Sequence, residues 1–236
     1  MRLEAFHLLA TLHHIYAIVH LLSVNYAGAT DSFVLAMRDL GLRYLTTWNL
    51  IMQSTYFGAC TGEYVLRAMA RDRSSQFLKT WQELRETTFQ ALIFPMGLVV
   101  FSVFWTLYKY DRSLVYPEIV DEYVAPHVNH MMHTNVGVVV GLEILLRPHY
   151  YCNRNRHLAM LRFFSCTYLT CYFYTYWSQG IWLYPLYQHL SWTQRIVTSI
   201  LITFIVPSAC YLLGEVIANA LWGKRTYVVN GEEKRS

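Results

Sequence analysis

Six long apolar stretches follow one another along the chain, and the shorter segments between them hold nearly all of the Lys and Arg residues. The stretches run over 3–24, 42–59, 88–108, 127–146, 158–177 and 196–221. A helix of about 20 apolar residues crosses the hydrocarbon core of a bilayer and pairs its own backbone polar groups there. Barrel strands would instead alternate apolar and polar residues. The pattern predicts an all-α fold, a polytopic bundle of six transmembrane helices in a single domain over 1–236.

The first apolar stretch has two interpretations. The residues Ala27, Gly28 and Ala29 that follow it resemble the cleavage site of a signal peptide. Against cleavage, the stretch is long, contains four histidines and is preceded by hardly any basic charge. We therefore expect it to be retained as a transmembrane helix.

The segment 63–86, between the second and third stretches, mixes charged residues with apolar ones. Its apolar members are Val65, Leu66, Met69, Phe77 and Leu78. A charged helix with one apolar face lies in the membrane–water interface rather than across the bilayer. The segment therefore predicts an amphipathic surface helix or a structured loop.

The composition is that of a membrane protein, with 55% hydrophobic and only 14% charged residues, whereas a soluble domain carries about 25% charged residues. The net charge of +4 would hint at nucleic-acid binding in a soluble protein, but here we expect basic loops that face anionic lipid. The expected partner is thus membrane lipid and not nucleic acid. The five cysteines form no CxxC pair, so they predict neither a disulfide framework nor a zinc site.

The basic residues are divided unequally between the two sides of a six-span bundle. Fourteen of the 19 Lys and Arg residues fall on the N-terminus, the second and fourth loops and the C-terminus. Cytoplasmic loops of membrane proteins carry the excess of positive charge. We therefore expect both termini in the cytoplasm, in a protein of the plasma membrane or the endomembranes.

Polar residues concentrate in the second and fourth stretches, although such groups are costly inside a bilayer and usually face the bundle interior. At about 100° per residue, one stripe of the second helix holds Thr46, Asn49 and Gln53. One face of the fourth helix holds His127, Asn129, His130, His133 and Thr134. A hydroxyl beside a histidine base is the minimal arrangement of an activated oxygen nucleophile. The pattern predicts that these two helices meet, without selecting the two residues.

Two other classes of function stay open from the residues alone. In the first, His127, His130 and His133 ligate a metal or haem together with histidines of the first helix. The i, i+3, i+6 spacing spreads these side chains widely around the helix, and carboxylate ligands are scarce, which favours the activated oxygen nucleophile over a metal site. The second is a non-enzymatic transporter or regulatory membrane protein.

Seven short motifs, in this order and spacing, resemble the androgen-induced-gene family. They are R-Y-L-T at 43–46, F-P-M-G at 94–97, F-W-T-L-Y-K-Y-D-R-S-L-V-Y-P at 104–117, N-H-M-M-H-T at 129–134, L-R-P-H at 146–149, W-L-Y-P at 182–185 and Y-L-L-G-E at 211–215. The resemblance covers nearly the whole chain after the first helix.

The resemblance implies a multipass membrane hydrolase of fatty acid esters of hydroxy fatty acids, with a threonine nucleophile, a histidine and no cofactor or metal. It selects Thr46, which ends the R-Y-L-T motif, and His133, the second histidine of N-H-M-M-H-T. The sequence departs from the family pattern at Met131, where we expect a small residue, and at His127, where we expect an apolar one. Met131 is expected to narrow the acyl pocket.

Supporting roles follow from helical geometry rather than from the resemblance. Asn49, one turn beyond Thr46, is a candidate donor to the oxyanion. Arg43, one turn before Thr46, is a candidate for holding a free carboxylate of the substrate, although an interfacial arginine often only extends its charge to water. His130 is expected to orient its neighbours.

Overall fold

The computed structural model describes residues 3–69, 76–223, 226–229 and 232–235, and this part of the chain is mostly helical. The first helices are α1 (Leu3–Leu22), the short α2 (Ser32–Leu40) and α3 (Leu45–Met69). A rod with a wide π-helical turn follows, made of α4 (Gln76–Thr88), the turn Phe89–Ile93 and α5 (Phe94–Asp111). A second such rod is made of α6 (Pro126–His130), the turn Met131–Asn135 and α7 (Val136–Leu146). Then come α8 (Arg154–Gln179) and a third rod of α9 (Trp192–Ile200), the turn Leu201–Ile205 and α10 (Val206–Trp222).

Short elements connect these helices. Tight 3₁₀ turns cover Gly41–Arg43, Arg112–Leu114, Glu118–Glu122 and Pro185–His189. After α10, the strands β1 (Thr226–Val229) and β2 (Glu232–Arg235) form an antiparallel hairpin in which Thr226 lies opposite Arg235.

The long helices fall on the apolar stretches, and the expectation of an all-α membrane protein is confirmed. Within the described residues, three helices are long and apolar enough to cross a membrane by length and composition: Leu3–Leu22, Gln76–Leu114 and Trp192–Trp222. The other long helices carry polar residues toward the bundle interior, which lowers their hydropathy. The number of six spans therefore stays a prediction.

The structure differs from the expectations mainly at helix ends. The segment 63–86 belongs to two long helices, since α3 continues to Met69 and α4 begins at Gln76, while 70–75 lies outside the described residues. Apolar runs mark only the part of a helix that lies in lipid, so its polar ends escape a hydropathy reading. The short α2, which Asp31 caps by accepting hydrogen bonds from the amides of Phe33 and Val34, was not expected. Neither was the terminal hairpin.

Glycines let the long helices approach closely. A Cβ on Gly97 of α5 would stand 2.8 Å from Gln53 Nε2 on α3 and 3.1 Å from the carbonyl oxygen of Val136 on α7. A Cβ on Gly214 of α10 would stand 2.6 Å from the ring of Phe94. Small residues at such crossings are typical of membrane helices, which depend on close van der Waals packing.

The outer surface exposes large apolar side chains, as expected of a protein whose solvent is lipid rather than water. Examples on the first and last helices are Leu9, Leu12, Val19, Ile196, Ile205 and Val216. The core between the helices holds fully buried side chains such as Leu50, Phe57, Phe94 and Tyr211.

Candidate active site

The start of α3 is fixed by two tyrosines from other elements. The amide of Leu45, the first residue of α3, donates to the hydroxyl of Tyr168 on α8 at 3.1 Å and to that of Tyr184 in the following loop at 3.2 Å. The two hydroxyls lie 3.1 Å apart. Amides of a first helical turn have no intrahelical partner, and these phenols supply one. Thr46, the next residue, is thereby held in a defined position.

The structure distinguishes the two adjacent threonines. Thr47 donates its hydroxyl to the carbonyl oxygen of Gly41 at 2.8 Å, so its side chain turns back to the preceding 3₁₀ turn. The hydroxyl oxygen of Thr46 instead lies 3.2 Å from Nε2 of His133. The structure thus brings together the two residues that the resemblance selected.

Asn129 orients the imidazole of His133. Nδ1 of His133 lies 2.7 Å from the side-chain oxygen of Asn129 and 3.2 Å from its backbone carbonyl oxygen. Because a carbonyl oxygen only accepts, Nδ1 carries the proton and Nε2 is left to accept one from Thr46. Phe104 stacks on the imidazole, with ring centroids 3.5 Å apart and planes at 9°. The arrangement has the order hydroxyl, imidazole, orienting group that activated nucleophiles share.

A wide π-helical turn sets the direction of His133. The residue belongs to the turn Met131–Asn135, while His127 and His130 precede it in α6. His133 is buried, whereas His127 and His130 are exposed. A single α-helical face for all three was therefore a wrong expectation, because the π turn changes the angle between successive side chains.

The other histidines of this rod lie outside the site. Nδ1 of His130 lies 2.9 Å from the hydroxyl of Thr134, which also accepts from the indole of Trp105 at 3.1 Å. His127 lies beside Tyr16 and His20 of α1. Neither histidine is among the residues that line the cavity described next.

Thr46 and His133 line a cavity of about 790 Å³. Most of its wall is apolar, with side chains such as Leu50, Val99, Val103, Phe104, Met132 and Ile202. Cavities of about 300–1,000 Å³ with a few polar groups are typical of small-molecule sites. The catalytic candidates thus face a space suited to an acyl chain.

The remaining candidates occupy different places. Arg43 lines the cavity. Asn49 is fully buried and accepts a hydrogen bond from Gln53, but it is not among the cavity-lining residues. Met131 does not line the cavity either, and its neighbour Met132 does, so the expectation that Met131 narrows the pocket was wrong by one residue.

Sequence reasoning missed the orienting role of Asn129 and the two tyrosines on Leu45. Asn129 precedes His133 by four residues, which is a usable signal, because residues four apart on a helix are neighbours. Contacts of Leu45 with Tyr168 and Tyr184 join distant parts of the chain, so local spacing carries no sign of them.

Among the described residues, one group of three potential metal ligands lies close together: His7, Cys60 and Glu143. Nε2 of His7 is already hydrogen-bonded to Glu143 at 2.8 Å. The guanidinium of Arg85 lies 3.3 Å from the sulfur of Cys60, where its charge opposes a cation. The histidines of the α6–α7 rod do not converge on this group.

These features define a helical integral membrane protein whose apolar cavity holds a threonine–histidine pair. The chain belongs to the FAR-17a/AIG1-like protein family, whose model matches residues 5–219, and this confirms the resemblance seen in the motifs.

Two relatives illustrate the match. The androgen-dependent TFPI-regulating protein of Mesocricetus auratus is 35% identical over 197 residues, which cover 83% of this chain and 84% of that protein. The androgen-induced gene 1 protein of Homo sapiens is 31% identical over 200 residues, covering 81% and 82%. No solved structure matches the chain significantly.

Proposed function

We propose that the protein is a membrane-embedded hydrolase that cleaves fatty acid esters of hydroxy fatty acids, with Thr46 as nucleophile and His133 as base. The observation that carries this proposal is the 3.2 Å contact between the Thr46 hydroxyl and His133 Nε2 on the wall of an apolar cavity. A threonine hydroxyl is a weak nucleophile by itself and needs such a base. The substrate class comes from the family resemblance, and the largely apolar wall suits it.

The reaction proceeds through an acyl-enzyme. Nε2 of His133 takes the hydroxyl proton as the oxygen of Thr46 attacks the ester carbonyl carbon. The tetrahedral intermediate then breaks the ester C–O bond, and His133 returns the proton to the departing hydroxy fatty acid. Water attacks the acyl-threonine with His133 again as base, which releases the fatty acid and restores Thr46.

The oxyanion needs hydrogen-bond donors close to Thr46. The amides of the first turn of α3 have no intrahelical acceptor, and the positive end of the helix dipole lies there. Thr46 and Thr47 both line the cavity. We therefore assign oxyanion stabilisation to their backbone amides rather than to Asn49, which is not among the residues that line the cavity.

The test compares variants of purified protein in detergent, with a branched fatty acid ester as substrate. Thr46→Ala and His133→Ala should each abolish hydrolysis, and the double variant should be little worse, because residues that act as a unit are not additive. Thr46→Ser should keep part of the activity. Labelling by a fluorophosphonate probe should follow the same order.

Thr47→Ala is the matched control, since its hydroxyl bonds Gly41 instead of His133. It should stay active and remain labelled. Full activity of well-folded Thr46→Ala would refute the threonine mechanism. Loss in Thr47→Ala combined with activity in Thr46→Ala would move the nucleophile by one residue.

A further inference from the structure

The geometry points to a carboxylate-binding sub-site in the same cavity, formed by Arg43, Tyr44 and Tyr172. Its ligand is the free carboxylate of an ester that also carries an acid group. The inference rests on the proposed function and deepens it, because it makes the acid group a requirement for tight binding.

Arg43 brings an unneutralised positive charge to the cavity wall. One guanidinium nitrogen donates to the hydroxyl of Thr175 on α8 at 3.2 Å, and the group lies 5.8 Å from the ring of Tyr174. No Asp or Glu of the described ranges forms an ion pair with it. By contrast Arg38, which lines the same cavity, is paired with Asp39 at 2.7 Å. Arg43 therefore has donors and charge left for an anion.

Two phenols on the wall of the same cavity have hydroxyls without a hydrogen-bond partner among the described residues. Tyr172 is only 3% exposed, and its hydroxyl and that of Tyr44 are buried without any hydrogen bond in the part of the chain that the structure describes. Both residues line the cavity. Buried hydroxyls are nearly always hydrogen-bonded, so these two indicate a ligand that supplies acceptors.

Packing around Tyr184 and along α8 connects the three side chains. Tyr44 follows Arg43 in the chain and packs its ring against Tyr184 at 5.6 Å, and Tyr172 stacks on the same ring at 6.0 Å. Tyr172 precedes Thr175, the hydroxyl partner of Arg43, by three residues on α8, so both face the same side of that helix.

A carboxylate is the anion that fits these donors. The planar guanidinium donates two parallel hydrogen bonds to a carboxylate, and the phenols can donate to its remaining lone pairs. A charged group away from water is tolerated only when it is paired and hydrogen-bonded. A neutral ester would leave the charge of Arg43 without a counter-charge, so it should bind less tightly than the corresponding acid.

Binding is tested in Thr46→Ala protein, which separates recognition from hydrolysis. The ligands are a non-hydrolysable ether analogue of a branched fatty acid ester with a free carboxylate, and the methyl ester of the same analogue. We expect the acid to bind at least about ten-fold more tightly, which is a difference of about 1.4 kcal/mol in binding free energy. Arg43→Gln should remove that preference, Arg43→Lys should restore part of it, and Tyr172→Phe should reduce it.

Arg38→Gln is the matched control, because it removes a cavity-lining arginine that already has an acid partner. It should leave the preference unchanged. Equal binding of acid and methyl ester, or an unchanged preference in folded Arg43→Gln, would overturn the sub-site. A clear preference for the acid in a protein whose Thr46 form hydrolyses no ester would instead reject the proposed hydrolase and leave the sub-site standing.

Discussion

Asn129 is the residue on which the orientation of His133 depends. Asn129→Ala should lower kcat by at least about ten-fold and leave KM nearly unchanged, because the imidazole loses the 2.7 Å acceptor that fixes its tautomer. The loss should stay below the roughly 10⁴-fold effect of a wrong catalytic tautomer, since the backbone carbonyl of Asn129 still accepts. Asn129→Asp should retain more activity. The measurement is steady-state kinetics on a branched ester.

Asn135→Ala provides the control for that experiment. Asn135 belongs to the same π turn, but its side chain contacts Nε2 of His13 at 3.0 Å rather than His133. Its removal should leave kcat close to that of the parent protein. A similar loss in both variants would mean that the polar groups of this turn act through stability and not through the tautomer.

Substitution of Met132 tests which methionine limits the part of the cavity that holds the acyl chain. It lines the cavity beside His133, so Met132→Ala should broaden the range of branch positions that are hydrolysed. Met131→Ala should leave the relative rates unchanged, even though loss of a buried methionine costs about 2–5 kcal/mol of stability. The readout is the ratio of kcat/KM between two substrates, which does not depend on the folded fraction. An altered ratio in Met131→Ala alone would restore the expectation drawn from the sequence.

At the scale of single residues, the sequence predicted which helices meet and, through the motifs, that Thr46 and His133 would be the pair. It did not predict which histidines face outward. One π turn changes the direction of every later side chain, and an apolar pattern that tolerates either geometry does not reveal it. The catalytic roles of the pair stay predictions until the variants are assayed.

At the scale of elements, the close crossing of α5 with α3 and α7 depends on Gly97. Gly97→Ala should lower the free energy of unfolding by about 1–3 kcal/mol, because overpacking a tight contact displaces its neighbours. The added Cβ would meet Gln53 Nε2 at 2.8 Å and Val140 at 3.0 Å. For a chain of this size each kcal/mol shifts Tm by roughly 2–4 °C, which a thermal unfolding assay in detergent resolves.

Gly141→Ala in α7 is the matched control for Gly97→Ala. No atom outside its own helical surroundings lies within 4 Å of a Cβ at that position. Alanine in an open helical position should be neutral or stabilising by up to about 1 kcal/mol. Equal Tm values for the two variants would show that the helix crossing accommodates the added Cβ without a loss of stability.

Elements were predictable to the extent that hydrophobicity defines them. Each long helix covers an apolar stretch, because only helical backbone satisfies itself in lipid at that length. The polar ends of α3 and α4, the short α2 and the terminal hairpin were not predictable in this way. The α3 and α4 ends and α2 are stabilised by caps and ion pairs, such as that of Glu63 with Arg67 at 2.8 Å, which leave no apolar signal.

At the scale of the whole molecule, the candidate site and a second buried polar cluster lie in opposite halves of the bundle. Glu143 is fully buried, accepts from the hydroxyl of Tyr56 at 2.7 Å and contacts His7. It follows His133 by ten residues, which is about 15 Å along a helix. Because a buried charge persists only when it is paired, this cluster fixes the packing of α1, α3 and α7 at the end remote from Thr46.

The basic loops predict how these halves are oriented in the membrane, and this prediction can be tested directly. The sequence contains no N-x-[ST] glycosylation sequon, so an introduced one reports on its own location. A sequon with a flexible spacer inserted near the exposed Asp121, between α5 and α6, should be glycosylated in microsomes. The same insert beside the exposed Cys152, between α7 and α8, should not be glycosylated, because that loop belongs to the arginine-rich side that the positive-inside rule places in the cytoplasm.

Epitope tags at the two termini provide a second test of the orientation. An antibody should reach both tags only after the cytoplasmic face of the membrane is opened. Glycosylation beside Cys152 would show that the bundle has the opposite orientation. Tags on opposite sides of the membrane would show that the number of spans is odd.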